Sequence, residues 1–129
     1  MTKASVIRLN GNGPQGVGLQ FRGHAESENV VAGDPTEIGH TYFTDGTGQL
    51  EAGVWECTAY TSKFDDGYPV DEFAVILSGT VVITDETGHS ETFTAGDSYV
   101  IPKGLKLTWH MPESMRKYYV ILDSKIAGS

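Results

Sequence analysis

The sequence predicts an all-β chain, folded as a double-sheet jelly roll or barrel with an irregular N-terminal arm. Three observations lead there. Sixteen glycines in 129 residues cut the chain into short apolar runs that favour turns and strands over long helices. Nine or so of these runs have the length and composition of strands, and clusters of Gly, Asp and Pro punctuate them. With 39% hydrophobic side chains, the chain can bury about two-thirds of its unfolded surface in one core and is too short for two ordinary domains.

The elements follow in order. Ser5 to Leu9 reads as a short strand, broken by Asn10-Gly11-Asn12-Gly13-Pro14. From Gly16 to Gly39 the pattern is irregular, mostly loop with one or two short strands, and residues 1–39 form an arm or lid on the same domain. Regular structure begins near His40 and runs to residue 123. Thr41 to Thr44 and Leu50 to Thr58 flank the turn Asp45-Gly46-Thr47-Gly48 and are expected to pair. Asp71 to Leu77 and Thr80 to Thr84 meet at Ser78-Gly79, and Asp85-Glu86-Thr87-Gly88 turns the chain into His89 to Phe93. Gly88 suits the left-handed position of a short hairpin loop. Ser98 to Ile101, Leu105 to Met111 and Met115 to Asp123 complete the strands, and residues 124–129 are a tail that frays from Lys125. That many short strands in one domain is the pattern of a jelly roll or small barrel.

Charge and targeting narrow the partners. A formal charge of −8 with only nine basic residues disfavours nucleic acid and anionic membranes. No apolar run approaches the roughly 20 residues that span a bilayer, and Met1 to Ser5 lead into no signal-like core, so the expected compartment is the cytoplasm. The single cysteine, Cys57, has no partner for an internal disulfide and reads as a small buried hydrophobe on a strand, not a nucleophile.

Two segments carry a recognisable frame: Asp71-Glu72-Phe73-Ala74-Val75-Ile76-Leu77-Ser78-Gly79, and Gly96-Asp97-Ser98-Tyr99-Val100-Ile101-Pro102-Lys103-Gly104-Leu105-Lys106-Leu107. Their spacing resembles the two signature motifs of the cupin superfamily. Together with Gly53 to Thr58, Tyr68 to Phe73 and Glu113 to Val120, they are similar to the small single-domain cupins related to ureidoglycine aminohydrolase and to the ethanolamine-utilisation cupin. The resemblance implies a cupin double-stranded β-helix over about residues 41–122. It implies little about substrate, because one such frame hosts many unrelated activities.

It also implies where metal ligands would fall. With Gly79 as the last glycine of the first motif, Glu72 takes the family's Glu position, while Asp66 and Tyr68 stand where two histidines would be; the second motif's histidine position is Leu107. Asp66, Tyr68 and Glu72 remain as metal candidates. Mn, Fe and Zn sites of this kind depend on neutral imidazoles, and one or two carboxylates with a phenol replace them poorly. No cofactor is therefore expected. Asp66, in Phe64-Asp65-Asp66-Gly67, reads as a solvated turn, and His24, His40 and His89 lie outside the motifs. Strand alternation that turns Leu107 inward also turns Trp109 inward and His110 outward.

Glu72 is the most informative residue. Alternation puts it with Ala74 and Ile76 on the face opposite Phe73, Val75 and Leu77, and the motif directs that face to the interior. Desolvation among aromatic rings would favour its neutral acid and suit general acid or base work; equally, a buried ion pair with Lys117 or Arg116 would make it structural. Unpaired, its replacement by glutamine would leave stability unchanged or raised. Trp55, Tyr60, Tyr68, Tyr99, Trp109 and Tyr119 are either core or the flat walls of a small-molecule pocket. Lys117 and Tyr119 share one face of the last strand and, if inward, could hold a substrate or assist proton transfer.

Two functions stay open from sequence. One is a metal-independent acid-base enzyme for a small polar metabolite, with Glu72, Tyr68 and Lys117 doing the chemistry and the remaining rings holding the substrate. The other is a non-catalytic binding or accessory cupin. Open sheet edges lead to the expectation of a homodimer in either case.

Overall fold

The computed structural model describes residues 4–24 and 29–124. Their strands are β1 (Gln20–His24), β2 (Val30–Gly33), β3 (Thr36–Thr44), β4 (Leu50–Cys57), β5 (Tyr60–Phe64), β6 (Asp71–Ser78), β7 (Val81–Asp85), β8 (Ser90–Phe93), β9 (Ser98–Ile101), β10 (Leu107–Met111) and β11 (Met115–Leu122). Every pairing is antiparallel. One sheet has the order β1-β3-β4-β11-β6-β9 and the other β2-β5-β10-β7-β8, two antiparallel layers in the manner of a jelly roll.

Alternation decides which side chains meet between the sheets. On β6, Glu72, Ala74 and Ile76 are buried while Phe73 is 46% exposed. On β10, Leu107, Trp109 and Met111 are buried and His110 is exposed. On β11, Met115, Lys117 and Tyr119 turn inward. These residues join Cys57, Tyr60, Tyr99 and Ile101 in the core; a barrel interior holding a charged pair among its apolar residues is the first sign of a site.

Consecutive strands β6 and β7 lie in different sheets, so the chain must cross between layers at Ser78-Gly79. Gly79 makes the crossing possible. Its φ is 81°, and a Cβ there would stand 2.1 Å from the Ser114 carbonyl oxygen. The β7–β8 hairpin turns through Gly88 as its sequence requires, with the Gly88 amide donating to the Asp85 carbonyl.

The structure departs from the sequence reading in four places. Ser5 to Leu9 forms no strand; the segment it opens lies across the outer face of the six-stranded sheet, held by side chains instead of a ladder. Tyr118 donates to the Leu9 carbonyl, Arg116 to the Gly11 carbonyl, and Tyr42 to the Asn10 carbonyl. Second, β3 starts at Thr36, ahead of His40. Third, Tyr60 to Phe64 is a strand that composition concealed, because its inward positions alternate Tyr60 with a serine, Ser62. Fourth, β10 starts at Leu107, since Leu105 is occupied in a turn with Pro102. The proposed fraying at Lys125 falls outside the described residues. Among those described, no helix is long and apolar enough to cross a membrane.

Candidate functional site

The two motif segments are tied together through backbone. The Tyr68 amide donates to the Leu105 carbonyl and the Gly104 amide to the Tyr68 carbonyl, both at 2.8 Å. This clamp holds Tyr68 over the barrel interior, four residues before Glu72 on the adjoining strand.

Glu72 is the hub. Its Oε1 accepts a hydrogen bond from the Tyr68 hydroxyl at 2.6 Å. Its Oε2 accepts from the Tyr99 hydroxyl at 3.0 Å and from Lys117 Nζ at 2.5 Å. Lys117 also donates to the Tyr99 oxygen at 3.0 Å, so one ammonium, one carboxylate and two phenols form a continuous network. The charged side chains are 6% and 5% exposed. Burial and the adjacent Glu72 charge hold both phenols well above the usual tyrosine range, which keeps them as neutral donors.

Sequence left two cations available to Glu72, and the structure selects Lys117. Arg116, its neighbour, points to the opposite face and pairs with Glu56 at 2.8 Å. Because Glu72 is paired, the expectation that glutamine would be tolerated there is corrected: it would leave a buried ammonium without its counter-charge.

Aromatic faces complete the setting of Lys117. Its Nζ lies 4.6 Å from the Trp55 ring centroid, 4.7 Å from Trp109 and 5.7 Å from Tyr99. Trp55 is oriented by its indole N–H, which donates to Glu37 at 2.7 Å. Tyr119 is oriented by its hydroxyl, which donates to Glu51. Gly53 makes room for that ring, since a Cβ there would stand 2.8 Å from the Tyr119 hydroxyl and 2.3 Å from the His40 carbonyl oxygen. Burial lifts the Tyr119 phenol to about 12.

Beside this network opens a cavity of about 520 Å³, walled by Trp55, Tyr60, Tyr68, Trp109 and Tyr119, with Glu72 and Lys117 in its lining. The aromatic set is thus both core and wall. Tyr99 alone sits behind the wall, in the network and packed edge-on to Trp109. The cavity also takes in Glu37, Glu51, Ser62, Arg22 and His24, which sequence reasoning did not select. Glu51 was within reach, because it shares the parity of Trp55 on a strand that was recognised. Glu37 lay in a stretch read as loop.

The family's metal positions do not fit a metal here. Asp66 is exposed in the turn after β5, Leu107 is packed in the hydrophobic core, and the remaining carboxylate, Glu72, already holds an ammonium. Among the described residues no three His, Cys, Asp or Glu side chains gather where they could hold an ion. Cys57 is buried with its thiol pushed up to about 12, chiefly by desolvation, so it behaves as a small apolar side chain.

Two antiparallel sheets around an interior pocket make this a jelly-roll barrel of the kind that holds small ligands. Residues 44–119 match the family described as EutQ-like cupin domain, and the chain belongs to that family. Among solved structures, it resembles a protein of unknown function in the DUF861 family from Pseudomonas syringae pv. tomato, at TM-score 0.78 and 23% identity over 88% of this chain. The match spans 46% of the Pseudomonas chain, just under half its length. The EutQ protein of Clostridium difficile superposes at TM-score 0.61 with 22% identity, covering 79% of this chain and 77% of that one. A putative ethanolamine utilization protein q from Salmonella typhimurium gives TM-score 0.61 and 16% identity, covering 94% and 100%. At these identities the likeness carries the fold alone. No curated protein matches the chain significantly.

Proposed function

We propose that the barrel binds a small polar metabolite against its aromatic wall and carries out metal-independent acid-base chemistry on it. The observation that supports this reading is the buried Glu72–Lys117 pair, linked to two neutral phenols and lining a cavity of about 520 Å³. Glu72 and Lys117 exchange the proton, Tyr68 passes it towards the cavity, and Trp55, Tyr60, Trp109 and Tyr119 hold the substrate.

One observation favours the second reading, a binding or accessory protein without turnover. Both Glu72 oxygens already carry donors before any ligand arrives, as a purely structural carboxylate would. Mass spectrometry of the denatured protein identifies whatever small molecule co-purifies. Turnover of that compound or its analogues, abolished in Tyr68→Phe, supports the enzyme; binding without turnover supports the accessory protein.

A homodimer in the cytoplasm is part of the proposal. β1 and β9 end one sheet and β2 and β8 the other, leaving strand edges that a second copy would cover. Sedimentation should give twice 13.9 kDa at micromolar concentration, and a monomer throughout would refute it.

A further inference from the structure

Building on the acid-base reading above, we infer that Lys117 is a nucleophile that forms a Schiff base with a small uncharged aldehyde or ketone inside the barrel. A lysine on a protein surface is a solvated cation and attacks carbonyl carbons poorly. Buried lysines with a proton acceptor at hand are the ones that do so readily. Lys117 has the acceptor: Glu72 Oε2 lies 2.5 Å from Nζ. It has an acid for the carbonyl oxygen in the Tyr99 hydroxyl, 3.0 Å from the same nitrogen and itself hydrogen-bonded to Glu72. It lines a cavity large enough for a metabolite, and its neighbours on both sides are indole faces that exclude water.

The steps balance without any further reagent. An ammonium proton passes to Glu72 Oε2, leaving a neutral amine and a neutral acid. The nitrogen lone pair attacks the carbonyl carbon, a C–N bond forms, and the carbonyl π pair moves to oxygen. Tyr99 protonates that oxygen and recovers its proton from Glu72. Glu72 then removes the second proton from nitrogen, giving a neutral carbinolamine. Return of that proton to the hydroxyl releases water as the nitrogen lone pair closes the C=N bond. The product is an iminium beside an ionised Glu72. Its positive charge stands where the ammonium stood, so the buried carboxylate stays paired and the rings of Trp55 and Trp109 still face a cation.

Charge selects the carbonyl class. Glu37 and Glu51 also line the cavity, and their hydrogen-bond donors are neutral: the Trp55 indole for one, the Tyr119 and Thr41 hydroxyls for the other. Arg22, the other lining cation, is exposed and turned onto Thr41. A 2-oxo acid would bring its carboxylate against these two carboxylates, whereas an uncharged carbonyl would not meet that repulsion.

Reductive trapping tests this. The full chain is incubated with propionaldehyde and cyanoborohydride, which reduces only the iminium, and the modified lysine is located by peptide mass mapping. Lys117 should be alkylated faster than the exposed Lys63, Lys103 and Lys106, by about ten-fold or more. Tyr99→Phe should slow labelling at Lys117 alone. Surface lysines labelled with Lys117 untouched would overturn the inference, and pyruvate trapped at Lys117 as well as the aldehyde would overturn the choice of class. A non-covalent ligand released on denaturation from a protein whose Lys117 stays unlabelled would remove the covalent step and leave the small-molecule site standing.

Discussion

Replacing Glu72 with glutamine tests the site most directly, because it removes one charge and almost no volume. The two charged side chains are 5% and 6% exposed, so Lys117 would be left in the barrel without its counter-ion. Removing one member of such a pair costs about 3–5 kcal/mol. The indole faces at 4.6 and 4.7 Å still attract the ammonium and offset about 1 kcal/mol of that. The glutamine carbonyl can keep one of the phenol hydrogen bonds. The net expectation is a loss of about 3 kcal/mol, which for a domain of this size lowers Tm by about 10 °C. Thermal unfolding followed by circular dichroism at neutral pH measures it, with urea titration as the second axis. The double variant Glu72→Gln, Lys117→Met should recover most of the loss, since a neutral amide and an unbranched apolar chain then replace two charges. A single variant melting within about 2 °C of the parent would show that Lys117 does not depend on Glu72, and the reasoning about the pair would fail.

Trp109→Ala should cost about 3–5 kcal/mol in urea titration, because the ring is 2% exposed and both walls the cavity and faces Lys117; near-parental stability would show that the wall collapses without loss. Alkaline pH should unfold the protein through Tyr60, Tyr68 and Tyr99, whose folded-state pKa values are raised mainly by burial. A raised pKa means the stability they contribute is intact below the unfolded value near 10 and is lost as pH climbs above it, by about 4 kcal/mol in total at pH 11 relative to pH 8. Urea midpoints unchanged over that interval would contradict the burial of these phenols. Protein purified without chelator should carry well under one equivalent of Mn, Fe, Ni or Zn by elemental analysis. Near-stoichiometric metal that disappears in Glu72→Ala would refute that.

Much of this site could be read from the chain because strand parity is a strict rule. Once Glu72 was assigned to the interior, Ala74 and Ile76 followed, and Leu107 carried Trp109 inward and His110 outward. The identity of the cation beside Glu72 was not legible, since Arg116 and Lys117 are adjacent, face opposite ways, and either parity of the last strand satisfies composition alone. Tyr60 to Phe64 was missed for a related reason: Ser62 at its buried centre, with its hydroxyl donating to the Asn29 carbonyl, looks polar to any apolar-period test. The N-terminal segment was misread because its order comes from long-range partners, the side chains of Tyr42, Arg116 and Tyr118, and no local pattern announces a chain held by distant hydroxyls and a guanidinium.

The missing histidines and the buried lysine have one explanation in charge. A carboxylate on the inner face of a barrel needs a cation, and a site built on imidazoles would obtain it from a metal ion. In this chain the corresponding positions have gone elsewhere: Asp66 to an exposed turn, Leu107 into the hydrophobic core, Tyr68 onto Glu72 itself. The positive charge is supplied from β11 by Lys117, seated between Trp55 and Trp109. A metal entering this centre would have to displace an ammonium 2.5 Å from its carboxylate, and none of the motif's ligand positions offers an imidazole to replace the energy lost. The pair is therefore neutral as a unit. In the proposed function, charge recognition would fall to Glu37 and Glu51, which share the cavity lining, and proton exchange to Glu72 and Lys117.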